Sequence, residues 1–172
     1  MDKSELRSMM QNRVIDQKQF IEQQNYLLKE LNKELLHRKP HCVGLFSPLP
    51  NEINLNSIFP IQNATAAYPR VNGSTLTFHK VTNLNELIPS PPYGICEPSH
   101  KAEIVNPDLI IVPGLAFTKE GVRLGRGKGY YDRYLNANPC FTISLAFSWQ
   151  LLQQISKVRH DVLVDLVLFY DN

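Results

Sequence analysis

Apolar residues recur at steps of three and four positions along the first 36 residues of the chain. They are Leu6, Met9, Met10, Val14, Ile21, Leu27, Leu28, Leu31, Leu35 and Leu36. This spacing places apolar side chains on one face of a helix. It predicts one amphipathic helix, or two helices divided near residues 15–19. Pro40 marks the end of the helical region, because the residue before a proline is disfavoured in the helical conformation.

Short apolar runs after Pro40 predict β-strands. The predicted strands are residues 42–46, 65–68, 75–81, 109–112, 141–147 and 164–169. The run at 109–112 is continuously apolar, as in a central strand that is covered on both faces. Asn72 and Gly73 are typical of a hairpin turn between the second and third strands.

Helices and loops fill the spaces between these strands. A helix is predicted over residues 129–136 and a short one over 150–155. Residues 89–98 contain four prolines and a glycine, so we expect an irregular loop there. Strands alternating with helices indicate an α/β fold. We expect residues 1–172 to form a single-domain three-layer sandwich, with a mainly parallel or mixed central sheet flanked by helices and an N-terminal helical segment.

Composition narrows the class of protein. The 172 residues are 43% apolar and 20% charged, which is ordinary for a globular protein. The formal net charge of +2 gives no reason to expect nucleic acid or a membrane as a partner. Cys42, Cys96 and Cys140 lack the spacing of a disulfide framework or a zinc site. The charged N-terminus does not have the pattern of a signal peptide, and residues 109–117 are too short to span a membrane. We therefore expect a cytoplasmic monomer.

The densest chemistry lies in residues 123–132, where three glycines alternate with Arg126 and Lys128 and are followed by two tyrosines and Asp132. Glycine lets the backbone approach a ligand closely. Successive backbone N–H groups in such a turn bind anions, and the N-terminus of the following helix adds partial positive charge. The run predicts a site for a phosphate-rich ligand and its metal ion. The alternative is a basic turn that contacts only water.

Neither common phosphate-binding motif is present in this run. A P-loop requires glycine where the chain has Val122, and a hydroxyl residue where it has Gly129. The dinucleotide-binding fingerprint requires a third glycine where the chain has Tyr130. Both failures point to a different class of phosphate-binding protein.

Together with the preceding residues 112–117, this run resembles the signature of the 5-formyltetrahydrofolate cyclo-ligase family, also called methenyltetrahydrofolate synthetases. The resemblance extends along nearly the whole chain. Its further points, in order, are residues 3–7, 50–53 and 68–71, Phe78, residues 94–98, His160, Asp161, Val164 and Asp165. The chain departs from the family pattern at Thr118, where aspartate is frequent, and at Leu55, where threonine is common.

The resemblance implies an ATP- and Mg²⁺-dependent ligase of folate and one-carbon metabolism. Such an enzyme converts 5-formyltetrahydrofolate to 5,10-methenyltetrahydrofolate and releases ADP and phosphate. The formyl oxygen attacks the γ-phosphate, and N10 then attacks the formyl carbon. Phosphorylation converts the oxygen into a good leaving group, which explains the need for ATP.

The resemblance also implies the roles of individual residues. Lys128 and Arg126 are the expected catalytic cations. ATP is expected to contact Lys3, Ser4, Glu5, Leu6, Arg7, Arg123, Leu124, Gly125, Arg126, Gly127, Lys128, Gly129, Tyr130 and Tyr131. The folate is expected to contact Ser47, Glu52, Tyr93, Arg126 and Tyr130, and Mg²⁺ is expected to bind Asp132 and Asp161.

The residues taken singly leave other interpretations open. Asp132 could serve only the dipole of the helix that it begins, and Asp161 and Glu52 could lie in solvated turns. The Lys3–Arg7 pair could be an exposed helix face, and Tyr93 an ordinary loop aromatic. Two other functions also remain. One is a folate- or nucleotide-binding protein of the same fold without turnover, and the other is a nucleic-acid-binding protein, which the balanced net charge does not favour.

Overall fold

The computed structural model describes residues 1–91 and 94–171. Its α-helices are α1 Lys3–Gln11, α2 Gln17–Arg38 and α3 Tyr130–Ala137. The N-terminal helical region is therefore two helices, and the break lies at residues 12–16, slightly earlier than expected. Asp16 ends this break, because its side chain accepts the Gln19 N–H and caps α2. No helix in the described part of the chain is long and apolar enough to cross a membrane.

Most strands belong to one mixed sheet. In chain order the strands are β1 Cys42–Gly44, β2 Thr65–Asn72, β3 Thr75–Val81, β4 Ile88–Ser90, β5 Ile95–Glu97, β6 Ile104–Val105, β7 Leu109–Ile111, β8 Ala116–Phe117, β9 Arg123–Leu124, β10 Phe141–Ala146 and β11 Leu166–Phe169. Within the described ranges the main sheet has seven strands in the order β11-β10-β7-β1-β2-β3-β6. The first five are parallel, and β3 and β6 add antiparallel pairings at one edge.

Alternate residues of the central strands pack against helices on opposite faces of the sheet. Leu109 and Ile111 of β7 lie in the same cluster as Leu27 and Leu31 of α2. Ile110 between them lies in a separate cluster with Tyr134 and Leu135 of α3. The strand β7 is thus covered on both sides, as its uninterrupted apolar sequence predicts. This confirms the expected α/β sandwich with helices on both faces of the sheet.

Three local expectations are wrong. The second strand continues to Asn72, so the hairpin turn is Gly73-Ser74 and the left-handed residue is Gly73 (φ 59°). Residues 89–90 and 95–97 are not part of an irregular loop, because β4 and β5 pair as antiparallel strands. Residues 150–155 do not form an α-helix. A single 3₁₀ turn, Ser148–Gln150, ends at the first of them.

The contribution of α2 to the core is testable with two leucines of the same helix. Leu31 is fully buried, whereas Leu36 is 61% exposed. We predict that Leu31→Ala lowers the free energy of unfolding by about 2–5 kcal/mol, because it leaves a cavity between α2 and the sheet. Leu36→Ala should change it by less than about 0.5 kcal/mol. Urea denaturation followed by circular dichroism measures both, and equal losses would contradict the packing described here.

Candidate active site

The carboxyl ends of three neighbouring parallel strands deliver the residues of the candidate site to one edge of the sheet. β1 leads into the segment that contains Glu52, β7 leads into the turn 113–115, and β10 leads into the 3₁₀ turn that ends at Gln150. Ligands of open α/β sheets commonly bind at this edge, because the loops that follow the strands converge there.

Two adjoining cavities lie at this edge. The inner cavity is narrow, about 20 Å³, with mainly apolar walls that include Phe46, Val112 and Phe147. The outer cleft is wider, about 260 Å³, and is lined by polar and apolar residues of α1, the α1–α2 connection and the loop at Arg126. Residues common to the two linings are Glu52, Gly114 and Gln150. The inner cavity has room for about one water molecule, so a ligand with a ring system would lie in the outer cleft and meet the inner cavity at its mouth.

The glycine loop, residues 125–129, is closed at its base by an ion pair. Arg123 in β9 donates from Nη2 to both carboxylate oxygens of Asp132 in α3, at 3.1 and 3.0 Å. Its Nη1 donates to the Pro113 carbonyl at 3.1 Å, and Asp132 also accepts the Val162 N–H at 3.2 Å. Arg123 is almost fully buried, so its charge requires this partner. In this structure, then, Asp132 holds the ends of the loop together.

The loop conformation depends on glycine and leaves the start of α3 open. Gly127 and Gly129 have φ angles of 96° and 67°, which strain any residue with a Cβ atom. Gly129 is also the N-cap of α3 and has no side chain to satisfy the first backbone N–H groups. An anion at this helix terminus would receive those hydrogen bonds and the favourable dipole.

Helix α1 docks onto the glycine loop through Arg7 and onto the C-terminal segment through Lys3. Arg7 donates from Nε to the Gly125 carbonyl at 2.9 Å, and Lys3 pairs with Asp161 at 2.5 Å. Leu6, which lies between them, packs into a small apolar cluster that includes Leu124. The Lys3–Arg7 pair is therefore directed toward the site and is not a solvated helix face.

The carboxylate of Asp161 is held in its charged form. Burial works against ionisation, but the hydrogen bonds from Lys3 and the Val158 N–H, together with the charge of Lys3, outweigh it. The pKa of Asp161 consequently lies below its ordinary value. The ion pair between α1 and the C-terminal segment thus persists at neutral pH.

Arg126 and Glu52 form an ion pair across the boundary of the outer cleft. Arg126 Nη2 donates to Glu52 Oε1 at 2.7 Å, and Glu52 Oε2 accepts the Leu49 N–H at 2.9 Å. The Glu52 side chain is mostly buried, whereas that of Arg126 is 40% exposed. The two predicted ligand-binding residues are therefore in contact, although 74 positions separate them in sequence.

The other predicted residues have varied surroundings. Lys128 is exposed at the tip of the loop. Ser4 and Glu5 are also exposed, but they lie on α1. Tyr130 donates to the Gly73 carbonyl at 3.3 Å, and the Tyr131 ring lies 5.8 Å from the Arg123 guanidinium. Ser47 is not at the loop; it is buried, and its hydroxyl donates to the Cys96 carbonyl. Tyr93 lies outside the described residues.

Sequence reasoning missed several residues that line the cleft. They are Met10, Arg13, Gly114, Trp149 and Gln150. Trp149 and Gln150 follow directly after a strand that the sequence does predict, residues 141–147. Polar or aromatic residues at the carboxyl end of a buried parallel strand are candidates for a site. The position of Trp149 and Gln150 after this strand could therefore have identified them from the sequence.

The donor set suits a magnesium ion that is shared with phosphate groups. Across residues 1–91 and 94–171 there is no cluster of three or more His, Cys, Asp or Glu side chains able to hold a metal. Mg²⁺ at phosphates usually takes only one or two carboxylates, with waters and phosphate oxygens as its other ligands. Asp132 and Asp161 meet this requirement and lie near each other, because Asp132 accepts the N–H of the residue that follows Asp161. To bind Mg²⁺, Asp132 would have to share its carboxylate oxygens with Arg123, and Asp161 would have to share its own with Lys3.

The fold and the site define an α/β protein with a basic, glycine-rich loop at the carboxyl edge of its sheet. The model of the 5-formyltetrahydrofolate cyclo-ligase family matches residues 1–170, and the chain belongs to that family.

Similar proteins carry the same family name. A 5-formyltetrahydrofolate cyclo-ligase of Mycoplasma pneumoniae is 28% identical over 85% of this chain and 86% of its own length. The mouse protein of that name is 50% identical over 38% of this chain, but that match spans only 35% of the mouse protein. The matches to the mouse, Caenorhabditis elegans and yeast relatives span about a third to a half of those proteins.

Solved structures of similar proteins share the fold. The 5,10-methenyltetrahydrofolate synthetase of Aquifex aeolicus superposes with a TM-score of 0.85 at 30% identity, over 100% of this chain and 91% of its own. A synthetase from Mycoplasma pneumoniae gives a TM-score of 0.78 at 24% identity, over 98% of both chains, and shows the fold alone.

We predict that Arg123→Lys destabilises the protein although it keeps the charge. Lysine cannot donate to both the Asp132 carboxylate and the Pro113 carbonyl in this planar arrangement, so the loss should be about 1–3 kcal/mol. Arg133→Lys is the matched control: Arg133 is exposed, its side-chain hydrogen bonds within residues 1–91 and 94–171 go to the Ser74 carbonyl, and its guanidinium lies 5.4 Å from the Tyr130 ring, so its loss should stay below about 0.5 kcal/mol. Thermal unfolding compares the two variants, and an undisturbed Arg123→Lys protein would refute the role of this pair.

Proposed function

We propose that this chain is an ATP- and Mg²⁺-dependent ligase that closes 5-formyltetrahydrofolate to 5,10-methenyltetrahydrofolate and releases ADP and phosphate. The observation that carries the proposal is that the basic glycine loop, through Arg126, meets Glu52 at the boundary of the two cavities. The family match over residues 1–170 supports it, as do the names of the similar proteins.

The outer cleft at the mouth of the inner cavity is the proposed place for the pterin ring. Trp149 and Leu115 in its lining suit the ring faces, and the mostly buried Glu52 carboxylate can accept hydrogen bonds from pterin N–H groups. Glu52 is now paired with Arg126, so a folate that takes up this carboxylate would compete with the arginine. The contacts of Ser47, Tyr93 and Tyr130 with the folate stay predictions.

The glycine loop and α1 are the proposed place for ATP. The uncapped start of α3 offers N–H groups to a phosphate, and Arg126 and Lys128 bring positive charge to the same loop. Two basic residues of α1 lie nearby: Arg7 donates to the Gly125 carbonyl of the loop, and Lys3 pairs with Asp161. The nucleotide would therefore lie against the surface that the loop and α1 form together.

The proposed reaction uses this placement of the folate and ATP. The formyl oxygen attacks the γ-phosphorus, the bond to the β-phosphate oxygen breaks, and ADP leaves. N10 then attacks the formyl carbon to close the ring, and the formyl oxygen departs with the phosphate. Phosphoryl transfer depends mainly on positioning and on neutralising charge, which is the proposed role of Arg126 and Lys128. For this purpose Arg126 must turn from Glu52 toward the phosphates.

Asp132 and Asp161 are the residues that would hold Mg²⁺. The ion would neutralise charge on the phosphate oxygens when it is bound. The competing partners Arg123 and Lys3 hold the two carboxylates in place, and the pKa of Asp161 lies below its ordinary value, which favours the ionised form that a metal requires.

We further propose a cytoplasmic monomer with neither nucleic acid nor membrane as a partner. The small net charge supports the absence of nucleic-acid and membrane partners. A nucleic-acid-binding protein would instead show an affinity that falls steeply with salt. Gel filtration with light scattering tests the monomer.

The activity is tested by mixing the pure protein with Mg-ATP and 5-formyltetrahydrofolate. We expect the near-ultraviolet absorbance of the methenyl product to rise, with one ADP formed per product. If folded protein binds both ligands saturably but forms neither product, the alternative of a binding protein without turnover is correct instead.

We predict that Lys128→Ala lowers kcat by about 10²–10³-fold while the melting temperature is unchanged. The loss follows because the charge of Lys128 would be used mainly as phosphoryl transfer proceeds. Lys119→Ala is the control, since Lys119 is an equally exposed cation that lies over the Phe169 ring away from the loop. A near-wild-type rate in Lys128→Ala would show that another cation has this role.

A further inference from the structure

Gln150 occupies the boundary between the two cavities. It is the last residue of the 3₁₀ turn that follows β10, and it contributes to the lining of the inner cavity and of the outer cleft. Among the residues with this double position, Glu52 already has a proposed role and Gly114 has no side chain. Gln150 is the remaining one, and neither the motif nor the family signature used above includes it.

The carboxamide of Gln150 is engaged with backbone groups. Its Nε2 donates to the carbonyls of Gly114 and Leu115, at 3.1 and 3.3 Å, and its Oε1 accepts the Phe147 N–H at 3.1 Å. Both N–H groups of the amide are therefore used within the protein. Because these donors are already used, Gln150 would affect the site through the Gly114 and Leu115 carbonyls that it holds.

The turn 113–115 that Gln150 holds is compact and is fixed from the opposite side as well. Arg123 donates to the Pro113 carbonyl, and the Leu115 N–H donates to the Leu124 carbonyl at 2.7 Å. A Cβ atom on Gly114 would lie 2.6 Å from the Phe117 ring, so the backbone passes here without room for a side chain. Gln150 completes this support on the β10 side, where it meets two carbonyls of the turn.

We propose that Gln150 is a positioning residue for the ligase reaction: it fixes the 113–115 turn as a rigid partition that sets the distance between the folate and the nucleotide. This inference rests on the proposed function. If the partition moves, each ligand can still bind on its own side, but the formyl oxygen and the γ-phosphorus lose their alignment. A displacement of about 1 Å can lower a rate about 10²-fold. Water can then accept the phosphoryl group, giving ADP and phosphate without ring closure.

The chain provides a matched control in Gln23 of α2. Gln23 is a buried glutamine, whereas Gln150 is partly buried, and Gln23 anchors the same 3₁₀ turn from the other side, with Nε2 donating to Ser148 Oγ at 2.9 Å and Oε1 accepting the Ser148 N–H at 2.8 Å. Gln23→Ala removes hydrogen bonds from that turn but leaves the carbonyls of Gly114 and Leu115 with their partner. The Gln23→Ala variant therefore distinguishes the effect of disturbing the 3₁₀ turn from the effect of moving the 113–115 partition.

The experiment compares wild type, Gln150→Ala and Gln23→Ala by melting temperature, by kcat and KM for both substrates, and by the ratio of ADP to methenyl product. For Gln150→Ala we expect kcat to fall about 10–100-fold, each KM to stay within about threefold, and the ratio to rise above one. For Gln23→Ala we expect a similar loss of melting temperature, a kcat within about threefold of wild type and a ratio of one.

Wild-type kcat in Gln150→Ala, or equal losses of kcat in the two variants, would overturn the proposal. If Gln150→Ala does not fold, Gln150→Glu replaces it, because glutamate keeps the acceptor for Phe147 but its ionised form cannot donate to the two carbonyls. Unchanged turnover in Gln150→Glu would again overturn it.

Hydrogen exchange makes the test independent of turnover. Exchange of the Leu115 amide should quicken at least about tenfold in Gln150→Ala and stay near wild type in Gln23→Ala, and no difference between the variants would refute the positioning role. If wild type forms no methenyl product, the proposed function fails, and this exchange result still decides whether Gln150 holds the turn.

Discussion

The candidate site depends on the buried ion pair between Arg123 and Asp132. Arg123 lies in β9, the second strand of the short hairpin β8–β9, and Asp132 lies in the first turn of α3, so the pair closes the chain segment that contains the glycine loop. The same two side chains also hold the Pro113 carbonyl and the Val162 N–H. One interaction thereby sets the loop, the partition turn and the segment that presents Asp161. Loss of either partner would leave a buried charge uncompensated.

The topology of the sheet explains why residues distant in sequence meet at this place. β10, β7 and β1 are neighbours and parallel, so their carboxyl ends lie along one edge. Glu52, Gly114 and Gln150 come from the segments that follow these three strands, and they line the boundary of both cavities. Helix α1 then covers the open side of the loop through Lys3 and Arg7. A phosphate-rich ligand and a ring ligand would be brought together there.

Much of the fold could be predicted from sequence because the patterns are local. The apolar periodicity of α2 and the continuous apolar run of β7 each specify an element without reference to the rest of the chain. Except for the early end predicted for the second strand and the expected helix at 150–155, the predicted strands and the glycine-loop helix agree with the structure to within two residues at each end. The hairpin β4–β5 was missed because its prolines suggest a loop, whereas a short pair at the surface can tolerate them.

The chemistry of the site was predictable only in part. The sequence shows that Asp132 is a carboxylate beside a glycine loop, but only the structure shows that Arg123 faces it. It likewise cannot reveal that Arg126 meets Glu52, because that contact joins segments 74 residues apart. Gln150 carries no motif, and its significance comes from the two carbonyls that the fold places within reach of its amide.

The central claim is that the cleft brings the γ-phosphate of ATP to the formyl oxygen of the folate. It is tested most directly with 5-formyltetrahydrofolate that carries ¹⁸O in the formyl group. The formyl oxygen becomes the bridging atom to phosphorus and leaves with it, so we predict one ¹⁸O atom in each phosphate released, as measured by mass spectrometry. Phosphate free of label, with the ¹⁸O recovered in water, would contradict phosphoryl transfer to the formyl oxygen and with it the arrangement proposed for this site.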